Sequence, residues 1–171
     1  MKLIAKASSG LIAIGLHLAK ITKAYSVEVD GDGTYKDKTK QLAVVFEAGG
    51  KSITRWFNTK GYQIDPENPT RVVLSKSGKE VEIKNYLTDE SGKRIEDTEN
   101  TEACINALGA LAKHAGFEEG DKIDSSDLEG REIGIFVIKE ASEFSDNGRL
   151  RVSYTLDASE VAKTEDVVEE A

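Results

Sequence analysis

Apolar positions recur at every second residue over most of this chain, and one stretch alone shifts to a helical rhythm. From Gly15 to Asp30, "GLHLAKITKAYSVEVD" is rich in β-branched residues and alternates at Tyr25, Val27 and Val29, which predicts a long strand. A polar loop, "GDGTYKDKTK", follows, with Lys36, Lys38 and Lys40 at alternate positions. "QLAVVFEA" then puts Leu42, Val44 and Phe46 on one face of a second strand. Gly49 and Gly50 both accept positive φ without steric cost, so they predict a two-residue hairpin turn. "KSITRWFN" returns as the third strand.

Both prolines fall in "GYQIDPENPT", which reads as a connector. "RVVLSKSGKEVEIKNYL" is a small hairpin turning at Ser77-Gly78, and "TDESGKRIEDTEN" a polar surface excursion. In "TEACINALGALAKHAG" the period changes: Cys104, Leu108, Leu111 and Ala115 form one apolar stripe of a helix. Asn100 or Thr101 is the expected cap, Gly116 the expected stop, and His114 suits the last-turn dipole. "REIGIFVIKE" and "RLRVSYTLD" form a last strand pair turning at Asp146-Asn147-Gly148, with Val152, Tyr154 and Leu156 on its core face. The reading is therefore a mainly β chain with five main strands, one helix between the third and fourth, and an inserted hairpin. That is the order of an OB-fold-like β-barrel. Its domain spans residues 1–157, and residues 158–171 form an acidic, disordered tail.

Two tempting motifs fail on spacing. Gly-Gly-Lys-Ser at residues 49–52 ends like a phosphate loop, but the glycine required five residues before Gly50 is Val45, and strand formers follow instead of a helix. The loop from Asp30 to Gln41 begins like a calcium-binding loop. Tyr35 occupies the glycine position and Gln41 replaces the bidentate glutamate, so too few ligands remain.

Composition narrows the class. The 171 residues suit one domain, and 39% hydrophobic with 32% charged residues is a globular balance. A lone cysteine, Cys104, forms no intramolecular disulfide and belongs to no zinc spacing. The apolar run from Leu11 to Leu16 is too short for a secretory core, so a cytoplasmic protein with no membrane association is expected. The net charge of −8 is unevenly spread: residues 1–60 carry ten basic and five acidic side chains, whereas "DASEVAKTEDVVEEA" carries six acids and one lysine. A basic front with an acidic tail fits a tail that competes for a basic groove, and equally a merely solubilising terminus.

Several segments resemble phage-encoded single-stranded-DNA-binding proteins of replication and recombination. "LGALAKHAGFEEGDKIDSSDLEGREIGIFVIKEASEFSDNGRLRVSYTLD" is similar to their closing helix, Leu-x-Gly-Arg step and strand pair. "SSGLIAIGLHLAKITKAYS" resembles their entry strand and "VVFEAGGKSITRWFN" their second hairpin. The resemblance implies an OB-fold that coats single strands in a bacteriophage-infected cell, with replication or recombination proteins as partners of the tail. Bacterial-type relatives of such proteins end in an acidic tip with an aromatic residue, whereas this chain ends "VVEEA".

Non-specific binding of single strands needs cations for phosphates and flat side chains for bases. The candidates are Tyr35, Lys36, Lys38 and Lys40 on the first loop, Lys51, Arg55 and Trp56 on the third strand, and Tyr86 after the hairpin. If Ile53 and Phe57 point inward, alternation sends Arg55 inward and Trp56 outward; the opposite register buries Trp56 as an ordinary core residue. For the lysines, the alternative is a solvated loop. Arg149 and Arg151 are further candidates for backbone contacts. No catalytic constellation, cofactor motif or metal spacing is present, since His17 and His114 lie far apart. The rival class is a β-barrel interaction or virion-structural protein without a nucleic-acid role. Oligomeric state, including a homo-oligomer, is left open by the sequence.

Overall fold

The structure, a computed structural model, describes residues 1–3, 11–29, 33–142 and 145–161. Five strands form one antiparallel sheet: β1 (Gly15–Val29), β2 (Thr39–Ala48), β3 (Lys51–Asn58), β6 (Glu132–Ser142) and β7 (Ser145–Leu156), in the order β3-β2-β1-β6-β7. The inserted hairpin is a separate two-stranded sheet, β4 (Thr70–Leu74) with β5 (Glu80–Lys84). One helix, α1 (Thr98–His114), and a 3-10 turn at Ser125–Leu128 complete the described elements. The two outer strands β3 and β7 approach each other, and α1 contacts both.

Alternation decides which side chains meet in the core. Ile21, Val44, Phe46, Ile133, Ile135, Val137 and Val152 are almost fully buried, and α1 adds Leu111 and Ala115. Leu108 packs against this cluster and Cys104 is half-buried, so the expected helical stripe is the face that seals the sheet. The β2–β3 reversal is the glycine pair, with φ of 58° at Gly49 and 76° at Gly50. α1 starts earlier than its apolar rhythm suggested. Asp97, not Asn100 or Thr101, is the cap, because its carboxylate accepts the amides of Glu99 and Asn100. At the other end, the His114 Nδ1 lies 2.7 Å from the Thr155 hydroxyl and ties α1 to β7.

The strand pairing of β6 and β7 overturns two readings made from sequence, the core face of Tyr154 and the place of the turn. Phe136 pairs with Tyr154 but Val137 pairs with Val152, so Ser153 is an extra residue in β7. Val152 therefore faces the core while Tyr154 turns outward, 49% exposed and stacked on Phe136 at 5.1 Å. The turn expected at Asp146-Asn147-Gly148 lies within β7, because Ser142 already pairs with Ser145. Residues 158–161, assigned from sequence to the tail, form a helical turn whose Val161 is 1% exposed. Val161 sits over Gly134, where an added Cβ would come within 2.5 Å of it. The rest of the expected tail, 162–171, lies outside the described residues.

Candidate nucleic-acid interface

The face of β3 follows from its neighbours. Ile53 and Phe57 are buried at 9% and 6%, so Arg55 between them points inward, while Trp56 is 56% exposed on the other face. Trp56 is thus not a core residue. The Arg55 guanidinium lies 4.5 Å from the centroid of the Phe57 ring, and it has no carboxylate partner among the described residues. Burial, and then the like charge of Arg151, lower the Arg55 pKa. Near neutral pH the group keeps its charge, because guanidinium titrates so far above that range.

Arg55 opens into a cleft of about 570 Å³ between β2, β3, α1 and the inserted segment. Five cations line it: Lys40, Arg55, Lys60, Lys84 and Arg94. Trp56, Tyr62 and Tyr86 line it too, and among the described residues no carboxylate does. Ala103 and Ala107 of α1 form part of one wall, and their small side chains leave the space open. Lys60 reaches Glu96 at 3.7 Å and Arg94 reaches Asp37 at 3.2 Å, so those charges are partly matched from outside the cleft. Lys40, Arg55 and Lys84 have no acidic partner among the described residues.

The outer wall is held by an aromatic cluster. Arg94 lies against both Tyr35 (4.8 Å) and Tyr62 (4.6 Å), and Tyr86 is 5.9 Å from each of those rings. The Tyr86 amide donates to the Tyr35 hydroxyl at 2.9 Å. Asp37 accepts from the Arg94 amide at 3.0 Å and from its guanidinium. Burial alone would raise the Asp37 carboxyl, but these hydrogen bonds and the Arg94 charge outweigh it and hold the pKa below its ordinary value. The Tyr62 hydroxyl is pushed the other way, chiefly by burial.

Of the eight residues expected from sequence, the cleft brings together Lys40, Arg55, Trp56 and Tyr86. Tyr35 belongs to the cluster behind it. Lys36 packs its stem on Gly92 and donates its amide to the Gly92 carbonyl, away from the cleft lining. Lys38 is exposed outside the lining, and Lys51 stands at the β2–β3 turn opposite Ala48. Arg149 and Arg151 are both held by Glu140, at 2.9 and 3.2 Å. Sequence reasoning missed Lys60, Tyr62, Lys84 and Arg94, two of them, Tyr62 and Arg94, in the connector and the polar excursion. A local signal was present: "KGY" and "KNY" each set a lysine two residues before a tyrosine. The excursion lies at the surface as expected, and isolated bridges tie it and the connector down: Tyr62 pairs with Glu96, Ile64 with Tyr86 and Thr88 with Arg94.

Trp56 also borders a second groove, with Leu11, Ile12, Thr54, Lys139 and Leu150 among its walls. The indole is therefore the ridge between a cationic cleft and a more apolar one. Among the described residues no cluster of three or more His, Cys, Asp or Glu side chains could hold a metal ion. No helix among them is long and apolar enough to cross a membrane. No protein-family model matches the chain, and no curated protein is significantly similar to it.

Proposed function

We propose that the protein binds single-stranded DNA without sequence preference, holding phosphates in the cationic cleft and stacking a base on Trp56. The observation that carries this reading is the cleft's charge. In a chain of net charge −8, five cations and no carboxylate of the described residues converge on one cavity, and three of the five lack an acidic partner among those residues. Unpaired cations gathered at such density repel one another, and a polyanion relieves that repulsion. An exposed tryptophan at the lip supplies the sequence-tolerant half of single-strand recognition.

The strand order supports a barrel of the OB type, because β3 and β7 approach each other and α1 falls between the third and fourth strands of the main sheet. On this reading the protein serves phage DNA replication or recombination in the host cytoplasm, without catalysis. The acidic segment after Val161 competes for the cleft when DNA is absent and contacts replication proteins when DNA is bound.

The double substitution Lys40→Glu with Lys84→Glu tests the cleft. It should leave the melting temperature nearly unchanged, because both side chains are exposed, and weaken oligo-dT binding at least tenfold at low salt. Unchanged affinity in that variant would contradict the assignment.

A further inference from the structure

The pairing register sets three residues in one row across the sheet. Tyr25 of β1 is opposite Ala43 of β2, and Ala43 is opposite Trp56 of β3. The row lies on the outer face, since Ala24 and Val44, next along their strands, are core residues at 4% and 0% exposure. Ala43 itself is fully covered, yet Tyr25 and Trp56 on either side of it remain 46% and 56% exposed. The outward position of Tyr25 depends on a bulge. Ile21 pairs with Phe46 and Lys23 with Val45, so Thr22 is the extra residue that turns Lys23 and Tyr25 away from the core. Lys23 is exposed one position along on the same face, and it has no acidic partner among the described residues.

We infer that Tyr25 is a second base-stacking platform, with Lys23 contacting the adjoining phosphate, so that the bound single strand continues from the cleft over Trp56 and across the outer face of β2. This rests on the single-strand reading above and extends it to residues outside the cleft. Two strand separations place the two backbones about 9.6 Å apart. A single base sandwiched between rings needs about 7 Å, twice the stacking repeat of roughly 3.4 Å. Each ring therefore takes its own base, on the surface that Tyr25 and Trp56 leave exposed on either side of the covered Ala43. Lys23 is about 6.8 Å from Tyr25 along the strand, within reach of the linking phosphate.

The test is fluorescence anisotropy of a labelled oligo-dT with the full chain and four variants, Trp56→Ala serving as the reference for the cleft. Tyr25→Phe keeps the ring and should bind as the parent does. Tyr25→Leu keeps apolar cover over Ala43 but removes the flat surface, and should weaken binding roughly 5- to 100-fold with the melting temperature held. Lys23→Gln should shallow the log–log salt slope by about 0.7, one phosphate contact. Should Tyr25→Leu bind like the parent while Trp56→Ala is weakened, this inference is overturned and the cleft reading survives. Should the parent chain bind no oligonucleotide at all, both fall together, and the exposed rings belong to a protein contact.

Discussion

The Tyr35 hydroxyl accepts the backbone N–H of Tyr86 across fifty-one residues of sequence, at 2.9 Å. That bond joins the loop before β2 to the segment after β5, and so holds the outer wall of the cationic cleft to the main sheet. Tyr35 acts here through its oxygen and through the Arg71 and Arg94 guanidiniums, 5.5 and 4.8 Å from its ring centroid.

Removing that oxygen should loosen the wall without unfolding the core. Tyr35→Phe leaves a part-buried amide without its acceptor, a loss of about 1 kcal/mol. Hydrogen exchange at the Tyr86 amide should accelerate while core amides in β1 and β6 keep their protection. Uniform acceleration across the molecule would show instead that the cluster is part of the main cooperative unit.

The Asp37–Arg94 pair makes the same wall sensitive to acid. A carboxyl whose folded-state pKa lies below the ordinary 3.8 stabilises the fold in its ionised form. That contribution is complete above 3.8 and is lost as pH falls through the lower folded value. The stability gap between the parent chain and Asp37→Asn, followed by urea melts, should thus hold from pH 7 to about pH 4 and narrow below it. A gap that stays constant down to pH 2.5 would contradict the assignment.

Gly61 is where the connector meets α1. A Cβ there would collide with the Asn100 side chain and come within 2.8 Å of the Asn100 carbonyl carbon and 2.9 Å of the Thr101 nitrogen. Its amide already donates to the Thr101 hydroxyl at 3.0 Å, and its carbonyl accepts from the Asp97 amide at 2.9 Å. Backbone cannot yield as a flexible side-chain tip does. Gly61→Ala should cost about 1–3 kcal/mol, read from thermal melts, and should weaken oligonucleotide binding as α1 shifts from the cleft. A variant as stable as the parent would show that the contact is looser than drawn.

The main sheet was legible because its signals are local. Period-two alternation and the Gly49-Gly50 pair placed β3 at Lys51–Asn58 and gave the outward face of Trp56 as one of two registers. The tertiary environment chose between those registers, since only the packing of Ile53 and Phe57 against the core decides it. Bulges at Thr22 and Ser153 were invisible, because a single extra residue leaves no mark in a hydrophobic pattern. Tyr154 was misplaced for that reason. The cleft was half legible. Lys40, Arg55, Trp56 and Tyr86 stand near recognisable strands, whereas Tyr62 and Arg94 arrive through isolated bridges between segments that read as loops.

Truncation of the acidic segment should begin after Val161, not at residue 158. Val161 is buried against Gly134, so removing it would expose the sheet and confuse stability with binding. Deleting 162–171 should tighten oligo-dT binding at low salt, and the gain should fade as salt screens the competition. Equal affinity at every salt concentration would eliminate self-competition by the segment.

The most direct test of the account is a titration of labelled oligo-dT, beside a duplex of equal length, at several salt concentrations. Preferential binding of the single strand is expected, with a log–log salt slope of about −2 to −3.5, as three to five phosphate contacts require. Absence of binding to either form at low salt would contradict it, and the cationic cleft would then have to serve some other anion.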